Sequence, residues 1–155
     1  MLYYTSLLFI TNVIHASMVC YRTCEYLTLF LTASSILHHG KYYDSYPGKE
    51  LVLNTDRTIV ASIYLMGLHR LYAIYNLIGI NYIYNMSLLS LLFTSVTGGA
   101  SIFFEDTLTR WNIRWQNVHA IFHVSACISI HLVLANYRLA YPEKCYQICP
   151  AIAMY

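Results

Sequence analysis

The sequence predicts an all-α fold: a polytopic transmembrane bundle of about five helices, forming one domain over residues 1–155. Three observations predict it. Of 155 residues, 58% are hydrophobic and only 10% are charged, too few charges to solvate the surface of a domain this size. Mean hydropathy is +0.49. Long apolar stretches recur along the whole chain, and a hydrocarbon core about 30 Å thick needs about 20 helical residues to cross it. The net charge of +2 and the scattered basic residues exclude nucleic acid as a partner.

The elements follow in order. The first helix is expected over Leu2–Cys20. No basic segment precedes it and no small-residue cleavage site follows it, so it reads as a retained span and not a cleaved signal peptide. The second is expected over Glu25–His39, a short span, and the third over Asp56–Gly79. The fourth is expected over Asn81–Phe104 and the fifth over Gln116–Tyr137. Gly79-Ile80-Asn81 predicts a tight turn that joins the third and fourth helices as a hairpin. A break near Arg70 would give six spans instead. Gly98, Gly99, Ala100 and Ser101 form a patch of small residues where another helix can approach closely.

Five spans place the N-terminus, the loop from Gly40 to Thr55 and the loop from Glu105 to Arg114 on one side. That side carries Lys41, Lys49, Arg57, Arg110 and Arg114, against Arg22, Arg138 and Lys144 on the other. The excess makes it the cytoplasmic side. Trp111 and Trp115 suit the membrane interface where the fifth helix begins. Cys20, Cys24, Cys145 and Cys149 then share the oxidising side, as one or two disulfides or as free thiols. The expected location is an integral, multi-pass position in a membrane whose identity is open.

Four of the histidines stand out: His38, His39, His119 and His123. His119 and His123 are four apart on one helix, so both rings project from one face and can ligate one ion. His38 and His39 end the second helix, which runs the opposite way and finishes at the same membrane face. Three imidazoles with an open fourth position make the catalytic type of zinc site. A histidine in a span is also commonly a packing hydrogen-bond donor, and a lone H-x-x-x-H is a weak signal. Ionisable groups in spans are costly, which makes these candidates for function. Asp56 opens the third helix at that same face, where it can accept a proton from a bound water or orient it. Ser35 lies one turn deeper than His39, and Ser34 one turn deeper than His38.

At these residues the sequence resembles a known group. Ser35-Ile36-Leu37-His38-His39 is similar to the S-x-x-x-H motif that closes the second helix in the superfamily of alkaline ceramidases and progestin/adiponectin-type receptors (CREST). Asp56 resembles the aspartate that opens the third helix there. His119-Ala120-Ile121-Phe122-His123 resembles the H-x-x-F-H of the last helix in the receptor branch. The resemblance covers about a fifth of the chain. It implies a zinc ion held by His39, His119 and His123, and a water or hydroxide that attacks a lipid amide with help from Asp56 and Ser35. The separation from His39 to Asp56, 56 − 39 = 17 residues, suits the receptor branch. His38 with Ser34 is the alternative register. The family has seven spans, whereas five are expected here, so a lipid-holding cavity would be enclosed by fewer helices.

The leading expectation is therefore a zinc-dependent intramembrane hydrolase of a lipid amide or ester. A non-catalytic, receptor-like protein of the same superfamily would use the same residues. A small haem-binding subunit is a further alternative, since Ser35-Ile36-Leu37-His38 loosely resembles a motif of succinate dehydrogenase anchors. A structural subunit of a membrane complex is the fourth. The expected partners are a lipid substrate and a surrounding membrane, with homo-oligomerisation as a way to complete a reduced bundle. Arg70 is expected to snorkel or pair within the bundle, with lipid headgroup binding as the alternative. His131 lies about 12 Å beyond His123, too far to share its ion. His15 is expected to pack or hydrogen-bond, and Glu105 and Asp106 to be solvated loop charges.

Overall fold

The protein is described by a computed structural model over residues 2–40 and 47–143, without the side chains of residues 105, 106 and 109. Its elements are all α-helices: α1 (Leu2–Ser6), α2 (Phe9–Met18), α3 (Arg22–His38), α4 (Lys49–Ile78), α5 (Tyr82–Phe103), α6 (Glu105–Arg110) and α7 (Trp115–Ala140). The all-α class is as the sequence predicts. Two of the helices, α5 and α7, are long and apolar enough to cross a membrane.

The expected first helix is divided at Leu7–Leu8. There the amides of Leu7 and Leu8 bond the carbonyls of Tyr4 and Thr5, three residues back instead of four. Such tightening interrupts the α-helical ladder. The α2–α3 corner turns through Cys20, whose φ is 57°. α4 begins about two turns earlier than the expected Asp56. It passes Arg70 without a break, so the six-span division does not form there. α4 ends at Gly79, whose φ of +70° and ψ of −163° suit a residue without a Cβ. Asn81 then caps α5, accepting a 2.8 Å hydrogen bond from the Tyr84 amide.

α7 is the central element and packs on α1, α2, α4, α5 and α6. Its most extensive contact is with α5. A series of side-chain hydrogen bonds runs along that seam: Asn136 to Ser87 at 2.7 Å, Ser129 with Ser90 at 2.7 Å and with Thr94 at 2.9 Å, and Ser125 with Thr97 at 3.4 Å. In apolar surroundings, small and hydroxyl-bearing residues let helices approach closely and bond across the seam. The expected small-residue patch works this way at Gly98, where an added Cβ would lie 2.8 Å from the Phe122 ring of α7.

The end of the bundle away from the N-terminus of α7 is closed by aromatic packing. Tyr21 stacks on Tyr137 with ring centroids 4.4 Å apart. The Arg70 guanidinium sits 4.9 Å over the Tyr21 ring and bonds its hydroxyl through Nε. Arg70 thus pairs within the bundle. His15 of α2 meets His131 of α7, Nδ1 to Nδ1, at 2.8 Å. Cys20 is disulfide-bonded, whereas Cys24 and Cys127 are free thiols. Lys41, Lys144, Cys145 and Cys149 lie outside the described residues, as do the side chains of Glu105 and Asp106.

Candidate metal centre

α3 ends at His38, and the amide of His39 closes the last turn on the Ser35 carbonyl at 3.0 Å. His39 therefore leaves the helix at its tip and faces the first two turns of α7. His119 and His123 come from those turns, one helical turn apart. Ring centroids lie 5.1 Å apart for His39 and His119, 5.0 Å for His39 and His123, and 4.8 Å for His119 and His123. One nitrogen from each of the three lies within 4.8 Å of the others. His38 sits beside them, with its ring 4.5 Å from that of His39, but is not part of the group.

The donor set fits a metal ion. Nitrogens around a tetrahedral zinc stand about 3.4 Å apart, so small side-chain rotations would bring these three to ligand distance. The Nε2 atoms of His39 and His119 are buried and have no hydrogen-bond partner. A buried polar atom without a partner is costly and calls for an explanation such as an unseen ion. Three imidazoles suit zinc, copper, iron or nickel alike, so the donor set could hold a transition metal and leaves the element open.

Neighbouring side chains hold the rings. Thr5 of α1 lies 3.0 Å from Nδ1 of His123, and Ser101 of α5 lies 3.3 Å from Nδ1 of His119. Trp115 packs edge-on against His119, and Phe9 packs against His123. Asp56 is buried on α4, about two turns inside its charged start, and its Oδ1 accepts a 2.8 Å hydrogen bond from Ser34. Ser35 lines the adjoining cavity and shares a 2.9 Å hydrogen bond with Ser6 of α1. The two registers weighed in the sequence are thus both used: His39 joins the histidine group, and Ser34 holds the aspartate.

A cavity of about 590 Å³ adjoins the group. His38, Asp56, His119 and His123 line one end, and apolar side chains such as Leu31, Ile63, Leu91 and Val133 continue it. From His119 to Val133 along α7 is about 21 Å at 1.5 Å per residue. The volume is that of an ordinary small-molecule site. The structure therefore brings together His39, His119 and His123, with Asp56 on the adjoining cavity wall. Sequence reasoning missed Thr5, Ser6 and Ser101. Their signal was present, since hydroxyls inside apolar stretches need partners, but no spacing tied them to the histidines.

Comparison of the chain with family models, curated proteins and solved structures finds no match. Fold and site together define an all-helical protein with a three-histidine group able to hold a metal ion.

Proposed function

We propose that this chain is a multi-pass membrane protein that holds zinc with His39, His119 and His123 and hydrolyses a lipid amide or ester, in the manner of the CREST superfamily. The spans in this reading are α1 with α2, α3, α4, α5 and α7, and the histidine end faces the cytoplasm. The observation that carries the reading is the meeting of three imidazoles, His39 at the tip of α3 with His119 and His123 of α7, beside a long, mostly apolar cavity that the two α7 rings line.

A bound zinc would supply a water acidified to near neutral pH and an electrophile for a carbonyl oxygen. The chain's own residues supply the rest. The cavity takes an acyl chain along its apolar walls and leaves the polar linkage beside the histidines. Leu31, Ile63, Leu91 and Val133 supply apolar wall along the cavity. Ser34 holds Oδ1 of Asp56, which leaves Oδ2 to take a proton from the attacking water and pass it to the leaving group. Ser6 and Ser35 tie α1 to α3 beside the group.

Incubation of the purified protein with N-acyl sphingosines and long-chain acyl esters in detergent tests the reading. Hydrolysis that a chelator abolishes, and that Asp56→Asn lowers by about 10²–10⁴-fold, is the expected outcome. Stoichiometric zinc with no turnover of any such lipid would replace the hydrolase by a receptor-like protein with the same centre.

A further inference from the structure

His119 and His123 of α7 each meet a hydroxyl that also lies within hydrogen-bond distance of a backbone carbonyl. Thr5 donates through Oγ1 to the Leu2 carbonyl at 2.9 Å, and Ser101 donates through Oγ to the Gly98 carbonyl at 2.9 Å. Each bond reaches three residues back on its own helix, to α1 in one case and α5 in the other. A hydroxyl carries one proton, so each oxygen has only lone pairs left for the ring it meets. With each hydroxyl proton on its carbonyl, the ring nitrogen is the donor. In that arrangement Nδ1–H of His123 donates to Thr5 at 3.0 Å, and Nδ1–H of His119 donates to Ser101 at 3.3 Å. A neutral imidazole with its proton on Nδ1 has a bare lone pair on Nε2. For His119 that Nε2 is the buried nitrogen without a partner.

We propose that Thr5 and Ser101 are positioning residues that set His123 and His119 in one tautomer, with both Nε2 lone pairs turned to a shared metal ion. The proposal rests on the metal reading above and deepens it. It gives α1 a role that its length does not suggest. A helix of five residues is far too short to persist alone. This one is held by packing on α3 and α7, and its two buried or half-buried hydroxyls both reach the site. The N-terminal turn is thereby part of the centre's outer shell, in the place that a carboxylate or backbone carbonyl commonly fills behind a metal-bound histidine.

Zinc titration of the purified full-length protein against a competing chelator tests this, with Thr5→Val, Thr5→Ser, Ser101→Ala and His123→Ala beside wild type. Thr5→Val keeps the shape of the side chain and removes the acceptor. Thr5→Val and Ser101→Ala are each expected to weaken zinc binding by about 10- to 100-fold at unchanged stoichiometry, with Thr5→Ser close to wild type. Cobalt loaded in place of zinc is expected to show shifted visible bands in both weakened variants. Wild-type zinc affinity and cobalt bands in Thr5→Val and Ser101→Ala would overturn the proposal and leave the metal reading intact. No zinc bound by wild type would overturn both. Should Thr5→Val lose helicity by circular dichroism, Ser101→Ala, on the long α5, carries the test alone.

Discussion

Ser34 and Asp56 are joined by a 2.8 Å hydrogen bond between α3 and α4, although it is the residue one turn beyond Ser35, His39, that joins the histidine group. Adjacent positions on one helix point about 100° apart. Consecutive serines therefore serve different neighbours, and Ser35 turns to Ser6 of α1 instead. Ser34→Ala is expected to lower lipid hydrolysis by roughly tenfold with zinc content unchanged, because it strips the carboxylate of its orienting donor. Ser35→Ala leaves the Asp56 bond intact, so its effect falls on the packing of α1. Equal rates in both variants would separate Asp56 from Ser34.

His38 and His39 are distinguished in the same way. Only His39 places a nitrogen within 4.8 Å of donors from both His119 and His123. Metal analysis is expected to find one zinc per chain in wild type and in His38→Ala, and little or none in His39→Ala, His119→Ala and His123→Ala. A zinc content in His38→Ala as low as in His39→Ala would transfer the ligand role or share it.

Binding to the folded state alone makes zinc a stabiliser. At free zinc one hundred times its Kd the gain is about 2.7 kcal/mol, which a chelator removes. Thermal unfolding in detergent is expected at a lower midpoint with chelator in wild type, and at a midpoint indifferent to chelator in His119→Ala.

Gly98 faces the ring of Phe122, which stands between His119 and His123 in the sequence of α7. An added Cβ would stand 2.8 and 3.0 Å from two Phe122 ring atoms, and that ring lies 5.7 Å from His119 and 5.9 Å from His123. The ring can move, since it is the end of a side chain. Gly98→Val is expected to cost about 1–3 kcal/mol and to weaken metal binding as Phe122 shifts. Gly99→Ala is the control, because a Cβ there meets nothing within 4 Å. Unfolding midpoints and zinc titration of the pair measure both effects.

Asn136 lies at the far end of the α5–α7 seam and is fully buried, donating to Ser87 at 2.7 Å. Asn136→Ala is expected to destabilise the protein by about 1 kcal/mol and to leave zinc affinity unchanged. A loss of metal in this variant would mean that seam and centre are coupled along α7.

Much of the helical layout was legible in the residues. Gly79-Ile80-Asn81 marked the turn between α4 and α5, because a left-handed glycine followed by a capping asparagine is a local signal. The bounds expected for the fourth and fifth helices lie within a few residues of those observed. The early start of α4 was not legible. Its first turns carry Lys49, Glu50, Asp56 and Arg57, which read as a loop until they are seen as the charged end of a helix. Nor was the division at Leu7–Leu8, where the apolar pattern continues while the backbone tightens.

By itself the sequence determined the helical class, the apolar stretches and the placing of His119 and His123 on one face, because periodicity is a property of one helix at a time. It also singled out the candidate groups for chemistry, since ionisable residues stand out in an apolar chain. Only the tertiary structure decided that His39, at the tip of α3, meets the start of α7, that His39 and not His38 completes the group, and that Thr5 and Ser101 stand behind the rings. Those relations depend on how helices distant in sequence rotate and cross, and the side chains that set the crossing are spread over every partner at once.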